Sequence, residues 1–156
     1  MKLKTLLFLF FASNVYSQDR LTALSSKKLD PFKCYYYQSI RNENTDTAYF
    51  IKLMFIDLKY AALEEYESIY LESEDVKKEF IADLLAANKE INNKESTLSW
   101  ERHDYKIYKF SKFKKIYVYD SKSRYYTAVL PSQLGRLLDW LYHMPIGSSE
   151  IEKSYK

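Results

Sequence analysis

The chain has 156 residues, with 24 Lys and Arg against 21 Asp and Glu and a formal net charge of +3. That length suits one domain with a sizeable core, and the near-neutral charge of +1 left once residues 1–17 are set aside gives no support for bulk electrostatic attraction to nucleic acid or to an anionic membrane. Only two glycines occur, Gly135 and Gly147, which excludes phosphate-cradling loops and nucleophile elbows, because both need several residues that accept positive φ or let a ligand reach the backbone.

At the N-terminus, Lys2 and Lys4 precede the apolar run from Leu6 to Ala12, and the more polar segment Ser13 to Ser17 follows. This order predicts a cleavable signal peptide over residues 1–17. Val15 and Ser17 fill the small-residue positions before a cut, which places cleavage between Ser17 and Gln18. The run is far shorter than the about 20 apolar residues of a spanning helix, and no later stretch is long and apolar enough for one. The sole cysteine, Cys34, stands too far along the chain for lipid modification of the new N-terminus. Loss of the peptide removes two lysines and no acid, which lowers the charge from +3 to +1. The chain is therefore expected to be exported, to the periplasm or outside the cell.

Residues 18–31 are polar and weakly patterned, and read as a flexible lead-in or short helix closed by Pro31. A single domain is expected over 32–145. Phe32 to Ile40 is a tyrosine-rich strand on which Phe32, Cys34 and Tyr36 share a face. Cys34 then reads as a small buried residue, with a bridge between chains as the alternative. One cysteine cannot make an internal disulfide, so the core must supply the stability. This suits a bacterial exported protein.

Arg41 to Asp46 is a turn. Thr47 to Leu58 is a long apolar run, read as a central strand buried on much of both faces. Tyr60 to Glu67 has no clear pattern, and Ser68 to Leu71 is a short strand. Ser73 is a good N-cap for a helix over Glu74 to Ile91, with Glu74 and Asp75 in its first turn and apolar residues at helical spacing from Val76 to Ile91. Leu98 to Phe110 reads as one or two strands. Lys115 to Asp120 is a strand with Ile116 and Val118 on one face and Tyr117 and Tyr119 on the other. Tyr125 to Leu130 is a further strand. Pro131 starts a helix lined by Leu134, Leu137, Leu138 and Leu141, and Pro145 stops it. Residues 146–156 read as a flexible tail.

Strand, Leu71 and helix echo strand, Leu130 and helix, with a one-residue gap and little identity. Together with 16 tyrosines, which favour pleated half-buried surfaces, the pattern predicts an α+β fold. The expectation is an antiparallel sheet of about five to seven strands with two main helices on one face, as a strand-strand-helix pseudo-repeat. The signal peptide, Thr47-Ala48-Tyr49-Phe50, Ser68-Ile69-Tyr70-Leu71 leading into the Val76–Ile91 helix, and the later Tyr/Lys-rich strands resemble small uncharacterised exported α+β proteins of Gram-negative bacteria. That resemblance implies a fold and no activity.

Four groups of residues invite chemistry. Glu101, His103 and Asp104 cluster, and His143 could join them from the second helix, but a catalytic zinc needs three ligands in defined geometry and the bland reading is solvated polar residues. Neither a metal nor a cofactor is expected. Asp57, Glu64, Glu65, Glu67, Glu72, Glu74 and Asp75 form an acidic stretch that could serve a hydrolase or simply face solvent. Trp100 and Trp140 could form a carbohydrate platform, although Trp140 lies off the leucine stripe and is expected at the rim of the helix–sheet contact.

From Glu101 to Arg124 cations and aromatic rings interleave. Arg102, Lys106, Lys109, Lys112, Lys114, Lys115, Lys122 and Arg124 stand against Glu101, Asp104 and Asp120, and interleave with Tyr105, Tyr108, Phe110, Phe113, Tyr117 and Tyr119. Such a surface can bind an acidic polymer by stacking and charge, or serve as a Lys-rich face that discourages edge pairing. Export argues against nucleic acid. The leading expectation is a non-enzymatic binding domain for an envelope protein or polysaccharide, through Lys112, Lys114, Lys115, Tyr117, Tyr119 and Arg124. A hydrolase using carboxylates and a structural or assembly protein are the alternatives.

Overall fold

The computed structural model describes residues 20–41, 46–59, 61–93 and 99–148. Residues 1–17, expected as a signal peptide, and residues 149–156 lie outside them. The elements in chain order are β1 (Arg20–Leu29), β2 (Phe32–Arg41), β3 (Asp46–Ile56), β4 (Tyr66–Leu71), α1 (Glu74–Lys89), β5 (Ser99–Arg102), β6 (Tyr105–Phe110), β7 (Lys115–Asp120), β8 (Tyr126–Val129), α2 (Pro131–His143) and β9 (Gly147–Ser148). Single 3-10 turns cover Ala61–Leu63 and Ser111–Phe113.

The fold is α+β, but it has two antiparallel sheets rather than one. The first runs β1-β2-β3-β4, with β9 added to the other end of β3, and the second runs β5-β6-β7-β8. Each is a meander followed by one helix, so the pseudo-repeat is four strands and a helix. The echo also shifts: Leu71 is the last inward residue of β4, and its counterpart by burial is Val129, because Leu130 is the N-cap of α2 and is exposed. The sheets meet at a seam where β3 ends. Leu58 N–H donates to the Tyr126 carbonyl at 2.9 Å, and Tyr126 N–H donates to Asp57 Oδ1 at 3.0 Å. A carboxylate there takes the place of the next ladder bond.

Period-two alternation sorts both sheets. In the first, Phe32, Cys34 and Tyr36 on β2 pair with Phe55, Leu53 and Ile51 on β3, and Leu53 and Ile51 pair in turn with Ile69 and Leu71 on β4. All are buried. The run from Thr47 is therefore buried on one face only, and Phe50, Lys52 and Met54 on the other face are half-buried. The inward residues of the second sheet include Ile107, Ile116, Val118 and Val129.

The expected lead-in is a strand. β1 pairs with β2 from Leu29↔Phe32 to Arg20↔Ile40, with a register shift between Ala23 and Ser25. Backbone bonds hold it, and most of its side chains are exposed, so no apolar alternation marks it. The expected tail is likewise fixed as far as Ser148. Ile146 is buried, and Gly147 and Ser148 pair with Tyr49 and Ala48.

The helices interlock the halves. Ser73 Oγ accepts from Val76 N–H at 3.2 Å to start α1, which buries Phe80, Ile81, Leu84 and Ala87. Although α1 follows the first sheet, Phe80 packs edge-on against Tyr105 of β6, with centroids 4.9 Å apart. Pro131 opens α2, and Gln133 Oε1 accepts the Leu130 N–H at 2.9 Å. Its buried residues are Leu134, Leu137, Trp140 and Leu141. Trp140 is thus core rather than rim, because it sits three residues after Leu137 on the inward stripe. Lys77 is buried on α1, where it donates to Met144 O at 2.7 Å and pairs with Glu74 at 2.9 Å. Tyr36 OH of β2 donates to Pro145 O at 2.7 Å. No helix among the described residues is long and apolar enough to cross a membrane.

Candidate functional site

The outward face of the second sheet gathers half of the expected site, and the flanking turns hold the rest. On β7, Lys115, Tyr117 and Tyr119 alternate with buried Ile116, Val118 and Asp120. On β6, Lys106, Tyr108 and Phe110 alternate with buried Tyr105, Ile107 and Lys109. The register sets Tyr108 opposite Tyr117, Lys106 opposite Tyr119, and Phe110 opposite Lys115. Tyr126 of β8 lies opposite Tyr119. The rings form a continuous tract with successive centroids 5.3 Å apart for Phe110–Phe113, 6.1 Å for Phe110–Tyr117, 5.7 Å for Tyr117–Tyr126 and 5.1 Å for Tyr119–Tyr126. Burial raises the Tyr119 hydroxyl pKa above its usual value, and the neighbouring tyrosines add to the shift.

Lys112 and Lys114 stand exposed in the β6–β7 turn, with Lys112 Nζ 5.7 Å from the Phe113 centroid. Arg124 lies at the opposite end of β7, in the β7–β8 turn. There it lines a groove of about 520 Å³ with Glu101, Lys106, Tyr108, Tyr119 and Ser121. Ser121 Oγ is buried and has no hydrogen-bond partner among the described residues. Asp120 shapes this turn, since its Oδ2 accepts from the backbone N–H groups of Lys122 and Ser123.

Two turn cations occupy costly backbone. Lys114 has φ 48 and Arg124 has φ 63, the left-handed region that glycine enters without penalty. A cation is therefore held at each end of β7 where a glycine would fit more easily.

Sequence reasoning placed two cations wrongly. Lys109 is inward, buried, and donates to Asn93 O at 2.7 Å. Arg102 turns towards α1, where Nε lies 3.1 Å from Asp83. Tyr105 also leaves the set, because it is fully buried and donates to Asp83 at 3.1 Å. Burial raises the Asp83 pKa, against the lowering effect of Tyr105 and Arg102. Tyr126 was missed, although its place on the strand after Tyr119 was legible.

The other candidates disperse. His103 is not on a strand face with Glu101; it sits in the β5–β6 turn at φ 49, and its Nε2 is 3.0 Å from Glu79. His143 Nδ1 lies 2.7 Å from Asp139 O of its own helix. Among the described residues, no group of three His, Cys, Asp or Glu could hold a metal ion. The acidic stretch splits up as well. Asp57 is buried at the seam, Glu67 accepts from Ser68 N–H, and Glu74 pairs with Lys77. Trp100 is half-buried against the core and Trp140 is within it. Cys34 is buried as a free thiol.

Comparison of the chain with known protein families, with curated proteins and with solved structures returned no match.

Proposed function

We propose that this is an exported binding domain that holds an acidic polysaccharide along the outward face of its second sheet. The observation that carries the reading is where the lysines stand. Lys106 and Lys115 are on β6 and β7, the interior strands of the sheet. Lysines that block edge-to-edge pairing belong on edge strands, so edge protection does not account for these two. They lie instead among closely spaced tilted and edge-on rings, with Lys106 also paired to Glu101 of β5 at 3.3 Å and with Lys112, Lys114 and Arg124 at the ends of the tract.

Acidic glycan suits this face better than protein or nucleic acid. The outward strand positions Ser99, Glu101, Lys106, Tyr108, Phe110, Lys115, Tyr117, Tyr119, Tyr126 and Ala128 include one carboxylate and no aliphatic side chain larger than alanine. Protein interfaces deplete lysine and rest on a packed apolar centre. An aromatic ring carries negative potential on its face, which suits the polarised C–H groups of a sugar ring, and the ammonium groups suit carboxylate or phosphate substituents. The signal peptide and the mature charge of +1 weigh against nucleic acid.

The test is affinity electrophoresis of the mature chain through gels containing polygalacturonate, neutral dextran or single-stranded DNA. Retardation by polygalacturonate alone is expected, and about 1 M salt, where the screening length is about 3 Å, should abolish it. Lys115→Glu with Tyr117→Ser should weaken the affinity of this face about tenfold, equivalent to ~1.4 kcal/mol, and lower retention accordingly. Retention by DNA alone, or equal retention of wild type and variant, would overturn the reading.

A further inference from the structure

We infer that the outward face of the first sheet is a second site for the same acidic polysaccharide, so that each chain holds two polymer segments. This rests on the reading proposed for the second sheet and extends it. Its basis is a separate set of residues.

On β2, Lys33, Tyr35 and Tyr37 alternate with the buried Phe32, Cys34 and Tyr36; on β3, Phe50 and Lys52 alternate with Ile51 and Leu53. The register puts Tyr37 opposite Phe50, and Lys52 opposite both Tyr35 and Tyr70. The rings again make a path, with centroids 5.8 Å apart for Tyr35–Tyr37, 5.3 Å for Tyr37–Phe50 and 6.2 Å for Phe50–Tyr70. Lys33 Nζ stands 5.2 Å from the Tyr35 centroid, and Lys52 Nζ 5.6 Å from that of Tyr70. Each ammonium stands within cation–π distance of the ring path, Lys33 on an exposed side chain and Lys52 on a half-buried one.

Charge selects the occupant. Among the described side chains of β2, β3 and β4, the outward positions hold two lysines and no carboxylate. Both lysines are on interior strands, so edge protection fails here as it does on the second sheet. Both halves of the pseudo-repeat therefore turn lysines and aromatic rings outward, although the first face also holds Met54 and Ile56. Both surfaces turn away from the one core that the halves share, with the Asp57–Tyr126 seam between them.

Isothermal titration of the mature chain with short oligogalacturonate reads the number of sites. Two oligomers per chain are expected for wild type. At oligomer concentrations that fill only unweakened sites, one is expected for Lys33→Glu with Lys52→Glu, one for Lys115→Glu with Tyr117→Ser, and none when all four are combined. Circular dichroism checks that these outward substitutions leave the fold intact. A wild-type count of one, unchanged by the first-sheet pair, would overturn the second site and leave the first standing. A count of one that either pair abolishes would make the two faces a single tract, and would also overturn it. No binding by wild type would instead remove the reading of the second sheet. A dimer seen by sedimentation without oligomer, and dissolved by Lys33→Glu with Lys52→Glu, would give the first face to a second copy of the chain. Preferential uptake of single-stranded DNA by that face would reject the glycan.

Discussion

Lys114 and Arg124 hold left-handed backbone that costs a residue with a Cβ about 1–2 kcal/mol. Glycine removes that strain but loses more entropy on folding, about 0.5–1 kcal/mol. Lys114→Gly and Arg124→Gly should therefore stabilise the protein by about 0.5 kcal/mol while weakening polymer binding, the pattern expected where function is favoured over stability. Urea melts paired with affinity electrophoresis would check this; a variant that lost both would show that the side chain mainly serves the fold. Cys34 makes a different point. Burial pushes its thiol up to about 12 from an ordinary value of 9.0, and burial likewise raises the Tyr105 hydroxyl well above its usual 10.0, with Asp83 adding to the shift. Both groups keep their protons longer in the folded chain than in the unfolded one. Their stabilising contribution is complete below about pH 9 and falls as pH rises towards 12. Denaturant midpoints should decline across that window, and a thiol reagent at pH 8 should label Cys34 only as fast as the chain opens.

At the scale of elements, the cross-contacts of α1 and α2 make the two halves interdependent. Phe80 reaches β6, Tyr36 reaches Pro145, and Lys77 reaches Met144. Leu137→Ala should cost about 2–5 kcal/mol in a single unfolding transition that includes the first sheet, and separately expressed halves should not fold. Two independent transitions would contradict the interlock. The helices and most strands were legible because their apolar periods are strong: Ser73 with the stripe through Phe80 and Leu84, and Ile116 with Val118. β1 was not legible, because a strand held by its ladder with exposed side chains leaves no alternation to read. The choice of Leu138 over Trp140 came from following leucines instead of the spacing from Leu137. Two sheets rather than one depend on which strands pair across α1, and local periodicity does not encode that. For the site, the alternation of Tyr117 and Tyr119 was readable within β7. The burial of Lys109 was not, because a cation on the inward face runs against the pattern and its ammonium is met by the Asn93 carbonyl, in the segment that follows α1.

For the whole molecule, two meanders share one core and turn tyrosine and lysine faces outward. The central claim is that the outward face of the second sheet holds acidic polysaccharide. The most direct measurement is an amide NMR titration of isotope-labelled residues 18–156 with oligogalacturonate. The account predicts saturable shifts across Lys106–Phe110, Lys115–Tyr119 and Tyr126, strongest around Tyr117, with α1 and α2 unmoved. Shifts confined to the helices, or no shifts at saturating oligomer, would contradict it.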